Sequence, residues 1–117
     1  MVVNKSGLWG EVFAARYLRD NLYTIISANY KCRMGEIDII AEKDGVTAFI
    51  EVKTRNENPI ANPAQSVDFQ KQRKLTAAAQ VYMREVKQEL NSRFDVIEVT
   101  LDSKYNLVKI NHIKNAF

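Results

Sequence analysis

The sequence contains few of the residues that build disulfides, thiolate metal sites and phosphate loops. Among its 117 residues are one cysteine, Cys32, and one histidine, His112. A single cysteine excludes an internal disulfide and any site with several cysteine ligands, and a single histidine argues against a histidine-rich metal site. With four glycines in total, the chain has no glycine-rich phosphate loop. The candidates for chemistry are therefore the charged side chains.

Long hydrophobic runs are also missing. No apolar run approaches the roughly 18 residues of a membrane span. The first residues lack the basic region, apolar core and small-residue site of a secretory signal. We therefore expect a cytoplasmic protein with no membrane partner. The length predicts a single domain over residues 1–117, and a hydrophobic fraction of 46% is sufficient for one core.

Charge is distributed unevenly along the chain. Residues 34–57 carry a net charge of −3, whereas residues 1–33 and 68–93 each carry +3. A carboxylate-rich centre between basic segments suits a metal site beside a phosphate-binding surface. Ordinary solvated faces are the alternative on charge alone.

Periodicity predicts a first helix over residues 7–20, with Ser6 as its cap and Asn21 as a left-handed stop. Its apolar residues at helical spacing are Leu8, Val12, Ala15 and Leu18. A second stripe, formed by the aromatic residues Trp9, Phe13 and Tyr17, belongs to the core or to an oligomer contact.

Strands are predicted over residues 22–31, 36–42, 46–54, 93–101 and 107–113, the last being an edge strand in which His112 is exposed. A second helix begins near Ser66 or Asp68, and its apolar stripe runs from Leu75 to Leu90. Lys71 extends that stripe by one turn. Residues 56–66, which contain both prolines, are the longest candidate loop. The order α-β-β-β-α-β-β predicts an α/β domain with a mixed β-sheet flanked by helices.

The hairpin around Asp44 and Gly45 is the most informative stretch. A two-residue type I′ turn at this dipeptide would pair Lys43 with Val46. The register then places Asp38 opposite Glu51, and Glu36 opposite Lys53, with Asp38, Glu51 and Lys53 on one face. Directly opposed Cβ atoms are only about 4.5–5.5 Å apart, and like charges there are destabilising. A three-residue loop with a bulge would offset this pairing by one residue.

These residues suggest metal-assisted chemistry. Asp38 and Glu51 offer the oxygen ligands that Mg²⁺ takes, and Glu11 could add a carboxylate from the neighbouring helix. The ammonium of Lys53 could orient water or stabilise charge on a phosphoryl group. The set matches phosphodiester hydrolysis. The alternative is a solvated sheet face with a Glu36–Lys53 pair, with Glu11 complementing the helix dipole.

Several motifs together resemble the YraN-type uncharacterised protein family. They are Gly7-x-x-Gly10-Glu11, Gly35-Glu36-Ile37-Asp38, Phe49-Ile50-Glu51-Val52-Lys53-Thr54-Arg55, Val67 with Lys71, and Arg93-Phe94-Asp95-Val96. That family is similar to archaeal Holliday-junction resolvases and to the PD-(D/E)xK nuclease superfamily, which has a restriction-endonuclease-like fold. The resemblance implies that Asp38, Glu51 and Lys53 form the catalytic triad and that Glu11 is the glutamate of the resolvases' first helix. It also implies a homodimer.

We therefore expect a Mg²⁺- or Mn²⁺-dependent endonuclease that acts on branched or otherwise structured DNA. Its metal ligands would be Asp38, Glu51 and Glu11, and Lys53 would complete the catalytic set. Arg55, Lys71 and Arg73 are the expected phosphate contacts. Two alternatives are a non-catalytic nucleic-acid-binding module that keeps the nuclease fold, and a protein-interaction domain.

Overall fold

The computed structural model describes residues 5–57 and 67–117. Its elements are α1 (Lys5–Asp20), β1 (Thr24–Cys32), β2 (Gly35–Lys43), β3 (Val46–Asn56), α2 (Phe69–Val86), β4 (Ser92–Leu101) and β5 (Leu107–Ile113). The strands form one sheet in the order β1-β2-β3-β4-β5. β3 and β4 are parallel and the other neighbours are antiparallel. The predicted mixed-sheet α/β fold and its element order are confirmed.

Two sequence predictions fall wholly or largely outside the described residues. These are Ser66 as a helix cap and most of the candidate loop at 56–66. The other candidate cap is confirmed, because a side-chain oxygen of Asp68 accepts a hydrogen bond from the backbone N–H of Lys71 at 2.8 Å. None of the helices in the described part of the chain is long and apolar enough to cross a membrane.

The predicted ends of the first helix are wrong. α1 begins at Lys5, so Ser6 lies inside the helix. The left-handed residue is Leu22, with φ 68°, and not Asn21. The N–H of Tyr23 bonds to the carbonyl of Leu18 at 2.9 Å, and that of Leu22 bonds to Arg19 at 3.0 Å. This pair of bonds is a Schellman ending. This ending places the left-handed residue one position after the predicted Asn21, and it directs the buried Tyr23 toward the core.

The face that α1 buries also differs from the prediction. Leu8 and Val12 are 54% and 45% exposed, whereas Gly10, Ala14 and Leu18 are buried. The reason is that α1 approaches β3 closely at Gly10, where an added Cβ would overlap Oγ1 of Thr54. The smallest residues of the helix therefore face the sheet. The three aromatic residues of the second stripe lie in different environments. Phe13 and Tyr17 pack against the core, whereas Trp9 is 43% exposed.

The sheet has one helix on each face. α1 covers a cluster that includes Ile39, Ile50 and Val99, and the buried Leu75, Ala78 and Ala79 of α2 cover the opposite cluster, which includes Phe49. Leu90 lies beyond the end of α2, because Lys87 is left-handed with φ 54° and ends the helix.

His112 is not the exposed strand residue that the sequence predicts. Its side chain is 4% exposed, because Tyr17 of α1 covers this part of β5. Nε2 of His112 lies 2.8 Å from Asp95, and Nδ1 lies 3.0 Å from the hydroxyl of Tyr17. Asp95 is fully buried and also accepts from Arg93. Burial opposes its ionisation, but these hydrogen bonds hold the pKa of Asp95 below its ordinary value.

Candidate functional site

The turn of the β2–β3 hairpin sets the geometry of the site. Asp44 and Gly45 have φ values of 53° and 78°, as a type I′ turn requires. Lys43 pairs with Val46, and the same register continues to Ile39 and Ile50. The two-residue turn and its register are therefore confirmed, and the offset loop is excluded.

Regular pairing ends one residue before the predicted carboxylate pair. Ile37 packs in the same cluster as Ile40, although strict alternation would place these residues on opposite faces. β2 thus departs from regular strand geometry at Asp38. At this point a side chain takes the place of the backbone hydrogen bonds between β2 and β3. Oδ2 of Asp38 accepts a hydrogen bond from the backbone N–H of Val52 at 2.8 Å. The ladder does not extend to the predicted Glu36–Lys53 pair.

Five carboxylates line one cavity of about 700 Å³. α1 contributes Glu11, β2 contributes Glu36 and Asp38, and β3 contributes Glu51. The fifth is Asp68, the N-cap residue of α2. The sequence prediction that Glu11, Asp38 and Glu51 share one site therefore agrees with the structure. Two additional members are Glu36, for which the sequence predicts a pair with Lys53, and Asp68, which the sequence predicts only as a helix cap.

Burial and the neighbouring charges raise the pKa of two of these carboxyl groups, Asp38 and Glu11. Burial, followed by the charge of Glu51, raises the pKa of Asp38 from 3.8 to about 7, and Glu11 contributes further. Burial and the charges of Glu36 and Glu51 also raise the pKa of Glu11. Raised pKa values at two neighbouring carboxyl groups in one cavity are typical of functional sites.

Two lysines approach the buried Glu51, which is 4% exposed. Nζ of Lys71, from the first turn of α2, is 2.5 Å from Oε1 of Glu51, and Nζ of Lys53 is 4.0 Å from the same atom. Burial opposes the charge of Lys71, but its bond to Glu51 raises its pKa overall. Burial and the neighbouring Lys71 ammonium lower the pKa of Lys53. The predicted one-turn extension of the α2 stripe therefore places Lys71 directly on the site.

The predicted phosphate contacts lie in three different environments. Lys71 lines the cavity. Arg55 forms an ion pair with Glu98, with an Nη2–Oε2 distance of 2.8 Å. Arg73 is exposed above the ring of Phe69 and is not among the cavity residues.

Two other lysines, Lys31 and Lys74, line the cavity instead. Lys74 follows Lys71 by three residues, so helical spacing could have placed both on one face of α2. Lys31 carries no comparable signal in the sequence.

The donor set fits a hard divalent cation in part. Among residues 5–57 and 67–117, no three acidic, histidine or cysteine side chains are placed to hold a metal ion. The set of Glu11, Asp38 and Glu51 is thus not assembled as a ligand cage, and Lys71 and the Val52 N–H occupy two of its oxygens. Mg²⁺ commonly takes one or two protein carboxylates and keeps several waters. Asp38 and Glu51 satisfy that smaller requirement.

Comparison with known proteins identifies the family. The sequence profile of the uncharacterised protein family UPF0102 matches residues 10–99. The chain is 45% identical to a UPF0102 protein of Caldanaerobacter subterraneus subsp. tengcongensis, with 98% of both chains covered. It is 43% identical to one from Alkaliphilus oremlandii, with 97% of each covered, and 40% identical to one from Caldicellulosiruptor bescii over the whole of both. The chain therefore belongs to the uncharacterised protein family UPF0102, in agreement with the YraN-type resemblance of its motifs.

Proposed function

We propose that this protein is a metal-dependent endonuclease that hydrolyses DNA phosphodiester bonds, with Asp38 and Glu51 as ligands of Mg²⁺ or Mn²⁺. The observation that carries the proposal is the crowding of these two carboxylates beside Lys53 and Lys71 in an open cavity. Such crowding costs stability without a cation, so its presence favours a functional role.

The charge balance of the cavity supports a cation. Its wall carries three lysines and five carboxylates, those of Glu11, Glu36, Asp38, Glu51 and Asp68. A phosphodiester brought against this wall would meet several negative charges at close range. A bound divalent cation would supply the missing positive charge, polarise the phosphoryl oxygen and make water a better nucleophile.

The chain's own residues have distinct proposed roles. Lys53 is partly buried and lies beside Glu51, so its ammonium is suited to orient water or to stabilise charge developing on the phosphoryl group. Lys31 and Lys74 stand at the cavity wall, where they would give sequence-independent contacts to the strand. Glu11 would assist from α1. The remaining predicted contacts, Arg55 and Arg73, lie outside this wall.

The proposed substrate is branched or otherwise structured DNA, and the proposed assembly is a homodimer. Both follow from the family resemblance. Of the aromatic stripe that could form the dimer contact, Trp9 remains exposed, and Leu8 and Val12 lie exposed on the same helix.

Cleavage assays test the proposal. Purified protein is incubated with labelled junction, flap and duplex DNA in Mg²⁺, Mn²⁺ or EDTA. We expect metal-dependent cleavage that Glu51→Gln reduces by about 100-fold, because loss of a ligand weakens the metal site. Glu42→Gln is the matched control, since Glu42 is exposed on the same hairpin outside the cavity. Equal cleavage by the Glu51→Gln protein would contradict the proposal.

Two further outcomes separate the alternatives. Salt-sensitive DNA binding without cleavage would indicate a non-catalytic binding module, and absence of both would favour a protein-interaction domain. Titration with Mn²⁺ reports on the metal directly, since a paramagnetic ion at the site should broaden the NMR signals of Asp38 and Glu51. Unchanged signals at millimolar Mn²⁺ would remove the basis of the metal site.

A further inference from the structure

A second cavity adjoins the carboxylate site at Lys53. It has a volume of about 380 Å³ and is lined by Lys53, Val67, Gln72, Val96, Glu98, Ile113, Ala116 and Phe117. Lys53 connects the two regions, because its Nζ is also 4.0 Å from Glu51 of the first cavity. The volume and the mixture of apolar walls with a few polar groups are typical of a small-molecule site. Any group held here would lie next to the proposed reaction centre.

One wall of this cavity is an aromatic platform. The ring of Phe117 stacks on Phe94, with centroids 5.2 Å apart and an interplanar angle of 22°. Phe94 in turn lies 5.6 Å from the buried Phe49, so the stack is anchored in the core. The N–H of Ala116 bonds to the carbonyl of Phe94 at 2.8 Å and fixes this segment on the sheet. Phe117 nevertheless keeps 36% of its surface exposed. The platform is therefore preformed and accessible.

Polar groups of both kinds complete the lining. Lys53 offers donors, and Glu98 offers acceptors that Arg55 and Asn111 hold in place at 2.8 and 3.1 Å. The amide of Gln72 is oriented by its bond to the carbonyl of Val67 at 3.0 Å. An aliphatic group would remove water from these polar side chains without adding a hydrogen bond to them. A planar ligand with both donors and acceptors on its edge fits best.

We propose that this cavity binds an unstacked nucleobase of the DNA strand, which stacks on Phe117 with its edge toward Gln72 and Glu98. The inference rests on the proposed function, because the strand must be held in the adjoining cavity. It also refines the substrate class, since a base can enter only from a single-stranded or locally opened region. Junctions and flaps supply such bases next to a duplex.

The test compares two strands that differ only in their bases. Fluorescence anisotropy in Ca²⁺, a divalent cation that carboxylates bind, measures the affinity for an oligothymidylate and for an abasic oligonucleotide of equal length and charge. Stacking of one base on an aromatic side chain is expected to favour the oligothymidylate by about 5- to 100-fold. Phe117→Ala should remove most of this preference without changing the affinity for the abasic strand. Phe117→Trp should keep the preference, as should Tyr105→Ala, which removes an exposed aromatic residue at another site.

The outcomes separate this inference from the proposed function. An unchanged base preference in the Phe117→Ala protein would overturn the nucleobase site, even if the wild-type protein cleaves DNA. A preference that depends on Phe117 would support the site, even if no cleavage is found. Excess free thymidine should not displace the oligothymidylate, and displacement would show a nucleoside site and overturn the assignment to a DNA strand.

Discussion

Replacing Asp38 with asparagine should stabilise the protein at alkaline pH. In the folded state the pKa of Asp38 is raised from 3.8 to about 7, mainly by burial and by Glu51. The folded state therefore holds a proton that the unfolded state releases at lower pH. The stability linked to this group is fully present below pH 3.8 and is lost as the pH rises through 7. Asparagine stays neutral and retains an oxygen to accept from Val52.

The size of the effect follows from the same pKa change. One pKa unit corresponds to about 1.4 kcal/mol, so an isolated carboxyl with this change would cost the fold about 4 kcal/mol at pH 8. Part of this cost is relieved, because Asp38 is partly accessible to solvent and its Glu51 neighbour is paired with Lys71. We therefore expect Asp38→Asn to raise the free energy of unfolding by about 1–3 kcal/mol at pH 8, and by close to zero below pH 4.

Urea denaturation followed by circular dichroism measures this difference. The titration is performed in EDTA between pH 4 and pH 8, so that bound divalent cations do not stabilise the wild-type protein. Glu42→Gln is again the matched control and should show no comparable gain. If Asp38→Asn is not stabilising at pH 8, or if its gain is the same at pH 4, then the carboxylate crowding inferred here is wrong.

Three further changes have definite expected outcomes. Gly10→Ala should lower the free energy of unfolding in urea by about 1–3 kcal/mol, because its Cβ would overlap Thr54. Adding Thr54→Ala to the same chain should recover part of that loss. His112→Ala should lower the free energy of unfolding in urea by about 1–3 kcal/mol, because the buried Asp95 loses a hydrogen bond. Lys71→Met should tighten Mn²⁺ binding in calorimetric titration, because its ammonium no longer competes for the carboxylate; weaker binding would refute that competition.

The sequence predicts the elements well because the signals that define them are local. The β2–β3 turn lies at the predicted Asp44 and Gly45, and its register is the one that a two-residue loop gives. The buried face of α1 could not be predicted in this way. Leu8 and Val12 have the expected period, but the close contact between Gly10 and Thr54 selects a different face. That contact joins residues far apart in the chain and leaves no periodic signature.

The site is predictable only as far as the backbone pairing continues. Counting from the turn correctly brings Asp38 close to Glu51, but it assumes a ladder that ends at Ile39 and Ile50. The side-chain bond from Asp38 to Val52 replaces the expected backbone pair. For His112 the decisive partner, Tyr17, is 95 residues away, and no pattern within β5 indicates it.

The two central carboxylates are neutralised in different ways. Glu51 is more deeply buried and has the ammonium of Lys71 against its oxygen, whereas Asp38 has a backbone N–H and a raised pKa. If a divalent cation bound to both, it would displace the lysine from Glu51 and, below about pH 7, a proton from Asp38. The burial of Glu51 is tolerated because Lys71 supplies a counter-charge to its carboxylate. The lysine on α2 is thus as much a part of the site as the carboxylates on the hairpin.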